Sequence, residues 1–136
     1  ARYRVADLFL DTAPYNAGAT ASDALWAGLP VLTCAGEAFA SRVAASLLMA
    51  IGLPELVTTT QEQYESTAVE LATNRERLLM VKQKLENNRL CTALFDTARF
   101  TKAIEFAFTK MYERCQDGSP PREIEVEDQE CSKQLF

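Results

Sequence analysis

Short apolar runs that stop in polar, turn-forming residues and hand over to helix-patterned sequence constrain this chain more than any other feature. The run over residues 5–10 ends in Asp11-Thr12-Ala13-Pro14, and the run over residues 29–33 ends in Cys34-Ala35-Gly36-Glu37. Both are mostly apolar rather than alternating, the pattern of strands covered on both faces in a parallel sheet. Pro30 is tolerable because the first positions of a strand can lack a donor. A helix is expected to start near Thr20, carry Ala24, Leu25 and Trp26, and stop at Gly28. A second is expected over about residues 38–50, where Phe39, Val43, Leu47 and Ala50 recur every three or four positions and Gly52 closes the run. Residues 56–59 offer a third short strand.

The remainder reads as helical. Thr60 with Gln63 three residues later makes a capping box. Helices are expected over about residues 61–72, through Tyr64, Ala68 and Leu71, and over 75–88, through Leu78, Val81 and Leu85. A last one is expected over 97–115, where Phe100, Ile104, Phe108, Met111 and Cys115 share a stripe. Residues 117–121 break it. Residues 117–136 carry six acidic and two basic side chains, −4 of the chain's net −5, and few large apolar groups. A body of residues 1–116 and an acidic, flexible tail of residues 117–136 are therefore expected. Two or three β-α units followed by helices describe an α/β fold, the downstream half of a doubly wound sheet. A sheet that small leaves an edge open, which favours either further chain upstream or self-association. Ala1 in place of Met also suggests a piece of something longer.

Composition removes several chemistries. The chain has no His, which excludes a Ser-His-Asp triad, a Cys-His dyad and every His-containing metal site within it. Cys34, Cys91, Cys115 and Cys131 make no CxxC pair and fit no zinc or redox spacing. Reduced cysteines and a cytoplasmic location are the expectation. The near-neutral body gives no electrostatic footprint for nucleic acid. No apolar run approaches the roughly 20 residues of a membrane span.

One stretch could carry chemistry. In open α/β sheets, ligands bind at the C-terminal ends of strands and phosphates sit against helix N-termini. Residues 11–28 supply a strand end, a loop with Asn16 and Gly18, and a helix opening on Thr20-Ala21-Ser22-Asp23. Backbone N–H groups and the Thr20 hydroxyl could hold a diphosphate, with small residues at Ala17, Gly18, Ala19 and Ala21 allowing close approach. Asp23, one turn in, could accept hydrogen bonds from a ribose. The same residues also fit a capping pair, Thr20 as N-cap and Asp23 at the third helical position. No GxGxxG or Walker pattern is present. Arg42 reads as a fold-support or salt-bridge residue, Trp26 as a core anchor, and Lys82 and Lys84 as solvent-facing.

Asp11-Thr12, Asn16, Thr20, Asp23-Ala24-Leu25-Trp26-Ala27-Gly28, Gly36-Glu37 and Ala40-Ser41-Arg42-Val43-Ala44-Ala45-Ser46 together resemble the O-linked N-acetylglucosamine transferase (SPINDLY-like) family. The resemblance covers roughly residues 1–115 and falls at the C-terminal end of that family's catalytic region. It implies the downstream half of a Rossmann-like GT-B C-terminal lobe, followed by packed helices. It also implies inverting transfer of N-acetylglucosamine from UDP to protein Ser/Thr hydroxyls, with no metal or other cofactor. The animal enzymes place a His-Thr-Thr run on the diphosphate. Gly18, Ala19 and Thr20 stand at those positions here, so only the last threonine is kept, and Gly18-Ala19 resembles the bacterial branch. The family's ribose-binding aspartate falls on Asp23.

The resemblance places the phosphate-contacting lysine, the proposed base and the acceptor-binding lobe upstream of Ala1. No catalytic residue is then expected within this chain, and the chain alone is expected to be inactive. A UDP-glucose or GDP-fucose donor is the alternative within the family. A non-catalytic nucleotide-binding or protein-interaction module is the alternative outside it.

Overall fold

In the computed structural model, which describes residues 2–126, the chain divides into two compact units, one ending at Phe95 and one starting at Asp96. The first is built on three parallel strands in the order β1 (Phe9–Leu10), β2 (Val31–Cys34), β3 (Val57–Thr58). Phe9 pairs with Val31 and Leu10 with Leu32, while Thr33 pairs with Val57 and Cys34 with Thr58. Helix α1 (Ala19–Trp26) links β1 to β2, and α2 (Val43–Ala50) links β2 to β3. Helices α3 (Gln61–Thr73) and α4 (Arg75–Arg89) follow.

The central strand explains the core. Val31, Leu32 and Thr33 of β2 have no exposed surface, and Leu25 of α1 and Leu48 of α2 are equally buried. Leu71 of α3 and Val81 and Leu85 of α4 complete the same cluster. The result is a small parallel α/β sheet followed by packed helices, as the periodicities predict. Helix ends follow local chemistry. Gly28 (φ 83°) and Gly52 (φ 76°) take the left-handed conformation just beyond α1 and α2. The Thr60 hydroxyl accepts from Gln63 N–H at 3.2 Å, while Gln63 Oε1 reaches back to Thr59 N–H rather than to Thr60.

Three expectations change. The strand expected over residues 5–10 is only Phe9–Leu10; Arg2–Val5 forms a 3-10 turn and Val5 is 86% exposed. Among the described residues β1 pairs only with β2, so nothing holds the rest of that run extended. The helix expected over 38–50 is broken. Phe39–Ser41 is a 3-10 turn, Arg42 leaves the helical region (φ −124°, ψ −6°), and α2 starts at Val43. Hydrogen bonds from Gly36 N–H to Ser41 O (2.9 Å) and from Ser41 Oγ to Ala38 O (2.8 Å) fold this segment onto itself. Trp26 is not a core anchor: it is 53% exposed, edge-on to Phe95 and covered by the Arg89 guanidinium. Lys82 and Lys84 do face solvent as expected, where they ion-pair with Asp7 and Glu55 respectively.

The second unit contains α5 (Thr97–Gln116), capped by the Asp96 carboxylate, which accepts from Arg99 N–H at 2.9 Å. None of its residues is buried. Beyond it, residues 119–126 form neither helix nor strand, and Arg114 donates to Pro120 O at 2.6 Å. The remainder of the expected flexible tail, residues 127–136, lies outside the described residues.

Candidate nucleotide-binding rim

Because the three strands are parallel, their C-terminal ends share one edge of the sheet. From β1 the chain enters a loop organised by Asp11, which is 7% exposed. Its Oδ1 accepts from Thr12 N–H (2.8 Å) and Ala17 N–H (2.7 Å), and its Oδ2 from the Thr33 hydroxyl (2.6 Å). Asn16, 1% exposed, donates from Nδ2 to Thr12 O at 3.0 Å, and its Oδ1 is buried without a partner.

The loop delivers the chain to α1, whose N-cap is Gly18 and whose first turn no side chain caps. The first backbone bond into the helix runs from Ser22 N–H to Gly18 O at 3.0 Å. The N–H groups of Ala19, Thr20 and Ala21 therefore have no acceptor within the helix. By contrast α3, α4 and α5 are each capped by a side chain, from Thr60, Asn74 and Asp96.

The capping reading of Thr20 and Asp23 fails on this geometry. Thr20 is the second residue of α1 and Asp23 the fifth, both are exposed, and neither side chain bonds to a described residue. Three apart, they lie on one face. Ala21 belongs to the core with no exposed surface, its backbone included, so the structure does not open it to the rim as the sequence reading expects. Ala19 is exposed. At Gly18, φ is −98° and an added Cβ would meet Val43 Cγ1 at an ordinary 3.6 Å. The fold itself does not demand glycine there.

The second junction is tighter. A Cβ on Gly36 would lie 2.5 Å from Ser41 Oγ and 2.9 Å from Ser41 Cβ, and Ser41 is 6% exposed. Gly36→Ala is expected to cost about 1–3 kcal/mol by overpacking, read as a shift in the urea midpoint; an unchanged midpoint would mean the 36–42 turn opens freely. Arg42, exposed, donates to Gly36 O at 3.1 Å and so supports this turn rather than a salt bridge.

Sequence reasoning missed Tyr64, Thr33 and Thr58 as parts of the rim. The Tyr64 hydroxyl donates to Asp11 O at 2.8 Å, and Thr58 Oγ1 donates to Thr33 O at 2.9 Å. Burial first, then the neighbouring Asp11 carboxylate and Cys34, hold the Tyr64 phenol above its ordinary pKa. The available signal was polar tips on residues otherwise counted as apolar-stripe or strand positions. At the other end of α1, a cavity of about 410 Å³ is lined by Tyr3, Arg4, Trp26 and Arg89; Arg89 there already donates to Trp26 O at 2.8 Å.

Among the described residues no group of three or more Cys, Asp or Glu side chains could hold a metal ion, and Cys34, Cys91 and Cys115 are unbonded. No described helix is long and apolar enough to cross a membrane.

Comparison with known proteins bears on this rim. Residues 1–104 match the family model "Glycosyl transferase family 41". The chain is 39% identical over 123 residues to the probable UDP-N-acetylglucosamine–peptide N-acetylglucosaminyltransferase SEC of Arabidopsis thaliana. It is 39% identical over 119 residues to the corresponding transferase of Caenorhabditis elegans, and 35% identical over 126 residues to the probable SPINDLY transferase of Hordeum vulgare. These alignments cover 88–91% of this chain but only 10–13% of those relatives. A solved mutant O-GlcNAc transferase of Thermobaculum terrenum superposes with a TM-score of 0.78 at 36% identity, over 86% of this chain and 23% of that one.

Proposed function

The chain belongs to glycosyl transferase family 41, the SPINDLY-like O-GlcNAc transferases, and from that premise we propose that it forms the donor-binding part of a GT-B C-terminal lobe, its downstream half. The observation that carries this reading is the open first turn of α1, the exposed Ala19 and Thr20 with N–H groups that have no helical acceptor and an uncommitted Thr20 hydroxyl, at the end of a parallel strand. Such a turn suits a diphosphate. Gly18 and Ala19 let it approach the backbone, the N–H groups of Ala19 and Thr20 and the Thr20 hydroxyl donate to it, and Asp23 accepts from the ribose.

The reaction served is inverting transfer of N-acetylglucosamine from UDP to protein Ser/Thr hydroxyls. As the glycosidic bond breaks, negative charge grows on the β-phosphate, and donors fixed in advance along the helix end stabilise it without reorganising. No metal or other cofactor takes part. The acceptor protein, the attacking hydroxyl's base and a phosphate-contacting lysine come from regions outside this chain, which has no catalytic residue of its own and is inactive in isolation. The partners are thus a UDP-sugar and a protein, with neither nucleic acid nor membrane involved, in the cytoplasm.

The test is UDP titration of the protein that carries this chain, with Thr20→Ala and Asp23→Ala variants. Losing one hydrogen bond to a charged group costs about 1.5 kcal/mol, roughly tenfold in affinity. Thr20→Ala should lose that affinity without a change in unfolding midpoint, because its hydroxyl caps nothing. Native UDP affinity in both variants would overturn the reading. Tighter binding of GDP than of UDP would move the donor to the guanosine branch.

A further inference from the structure

We propose that Asp11 is a positioning residue for the donor site: its carboxylate holds the loop that aims the open first turn of α1. The proposal rests on the donor-binding reading above. Asp11 is 7% exposed and contacts the rim only through other residues. Its Oδ1 gathers the N–H groups of Thr12 and Ala17, closing a six-residue loop whose far end is one residue from the N-cap Gly18. Inside that loop the Thr12 hydroxyl donates to Tyr15 O at 2.7 Å and Asn16 Nδ2 to Thr12 O at 3.0 Å.

The same carboxylate ties the loop to the sheet. Oδ2 accepts from the Thr33 hydroxyl at 2.6 Å, and Thr33 O accepts from Thr58 Oγ1 at 2.9 Å, which links β1, β2 and β3 in one chain of bonds. The main chain of Asp11 adds two anchors, N–H to Leu32 O at 2.9 Å and O from the Tyr64 hydroxyl at 2.8 Å. Core packing of Ala21, Ala24 and Leu25 fixes the inner face of the helix, but no side chain caps its first turn, so the 11–17 loop sets how the chain enters it.

A carboxylate suits this task because it offers two acceptor oxygens and no donor, and three donors converge on it. An amide of the same shape keeps the oxygen that serves Thr12 and Ala17 but turns an NH₂ toward the Thr33 hydroxyl, which must then reverse and accept, and the charge is lost from all three bonds. Charge-assisted bonds are also about twice as strong as neutral ones.

UDP is the probe, titrated by calorimetry into the protein that carries this chain, for wild type, Asp11→Asn, Thr33→Val, Thr33→Ser, Thr20→Ala and Asp23→Ala, each with its urea midpoint. Misplacement of a binding group by a fraction of an ångström should weaken UDP roughly tenfold in Asp11→Asn. The donor KM should rise with it, with a smaller change in kcat and none in the acceptor KM. Thr33→Val should move the same way, and Thr33→Ser, which keeps the hydroxyl, should bind more tightly than Thr33→Val. If Asp11→Asn does not fold, the Thr33 pair decides. Native UDP affinity in Asp11→Asn or Thr33→Val, with Thr20→Ala weakened, overturns the positioning role and leaves the donor site standing. Native affinity in Thr20→Ala and Asp23→Ala as well overturns both.

Discussion

Leu25→Ala is expected to destabilise the first unit by about 2–5 kcal/mol, the range for deleting a fully enclosed leucine. Leu25 has no exposed surface and sits on α1, which packs against β2, α2 and α4 at once. The void left by its isobutyl group can collapse only by shifting an element that other contacts also hold. Domains of this size have about 5–15 kcal/mol in all, so the variant stands near the unfolding threshold. Urea unfolding of Leu25→Ala beside Leu79→Ala checks this. Leu79 is 53% exposed, and its truncation should stay within about 0.5 kcal/mol. Equal losses at the two positions would contradict the core described above.

Gly52→Ala should cost about 2–3 kcal/mol, by two routes that can be separated. The left-handed conformation at φ 76° penalises any Cβ by about 1–2 kcal/mol. The new methyl would also stand 2.9 Å from Asn88 Nδ2. That amide donates to Ile51 O at 2.9 Å, satisfying the last turn of α2 from α4. Pushing it away forfeits a bond with a net value of about 0.5–1.5 kcal/mol. Asn88→Ala should lose only the second part, and the double variant should lose less than the sum of the singles. Strict additivity would show that Asn88 moves aside at no cost.

The elements that the sequence made legible are those whose signal is local. Thr60 with Gln63, and Gly28 and Gly52 at helix ends, announced boundaries because capping and positive φ depend on neighbours a few positions away. Leu71, Val81 and Leu85 were readable from the period of 3.6. The broken helix at residues 39–42 was not, because its cause is the Gly36–Ser41 bond, a turn that competes with helix without altering the apolar spacing. Trp26 misled for a related reason: a large aromatic near a helix end is equally at home under a guanidinium at the surface.

The rim divides the same way. Gly18, Thr20 and Asp23 could be proposed from a strand–loop–helix pattern and a family resemblance, both carried by contiguous residues. Thr20 at the second helical position rather than the cap was beyond that pattern, since cap placement turns on the φ and ψ of one residue. Thr33 and Tyr64 belong to other elements and meet Asp11 only in three dimensions, as Thr58 meets Thr33.

That meeting sets an order of events for the chain. The Thr33–Asp11, Thr58–Thr33 and Tyr64–Asp11 bonds span 22, 25 and 53 positions. Parallel strands of two to four residues cannot pair locally, so these three bonds, unlike those inside the 11–17 loop, wait for longer loops to close, and such non-local contacts are slow to form. A nascent chain that has emerged only as far as β3 holds the strands yet lacks the tyrosine that ties them to the loop. The farthest residue of the rim is Tyr64, so its bonds can close before α4 has emerged, and a chain arrested short of that tyrosine lacks the tie between α3 and the loop.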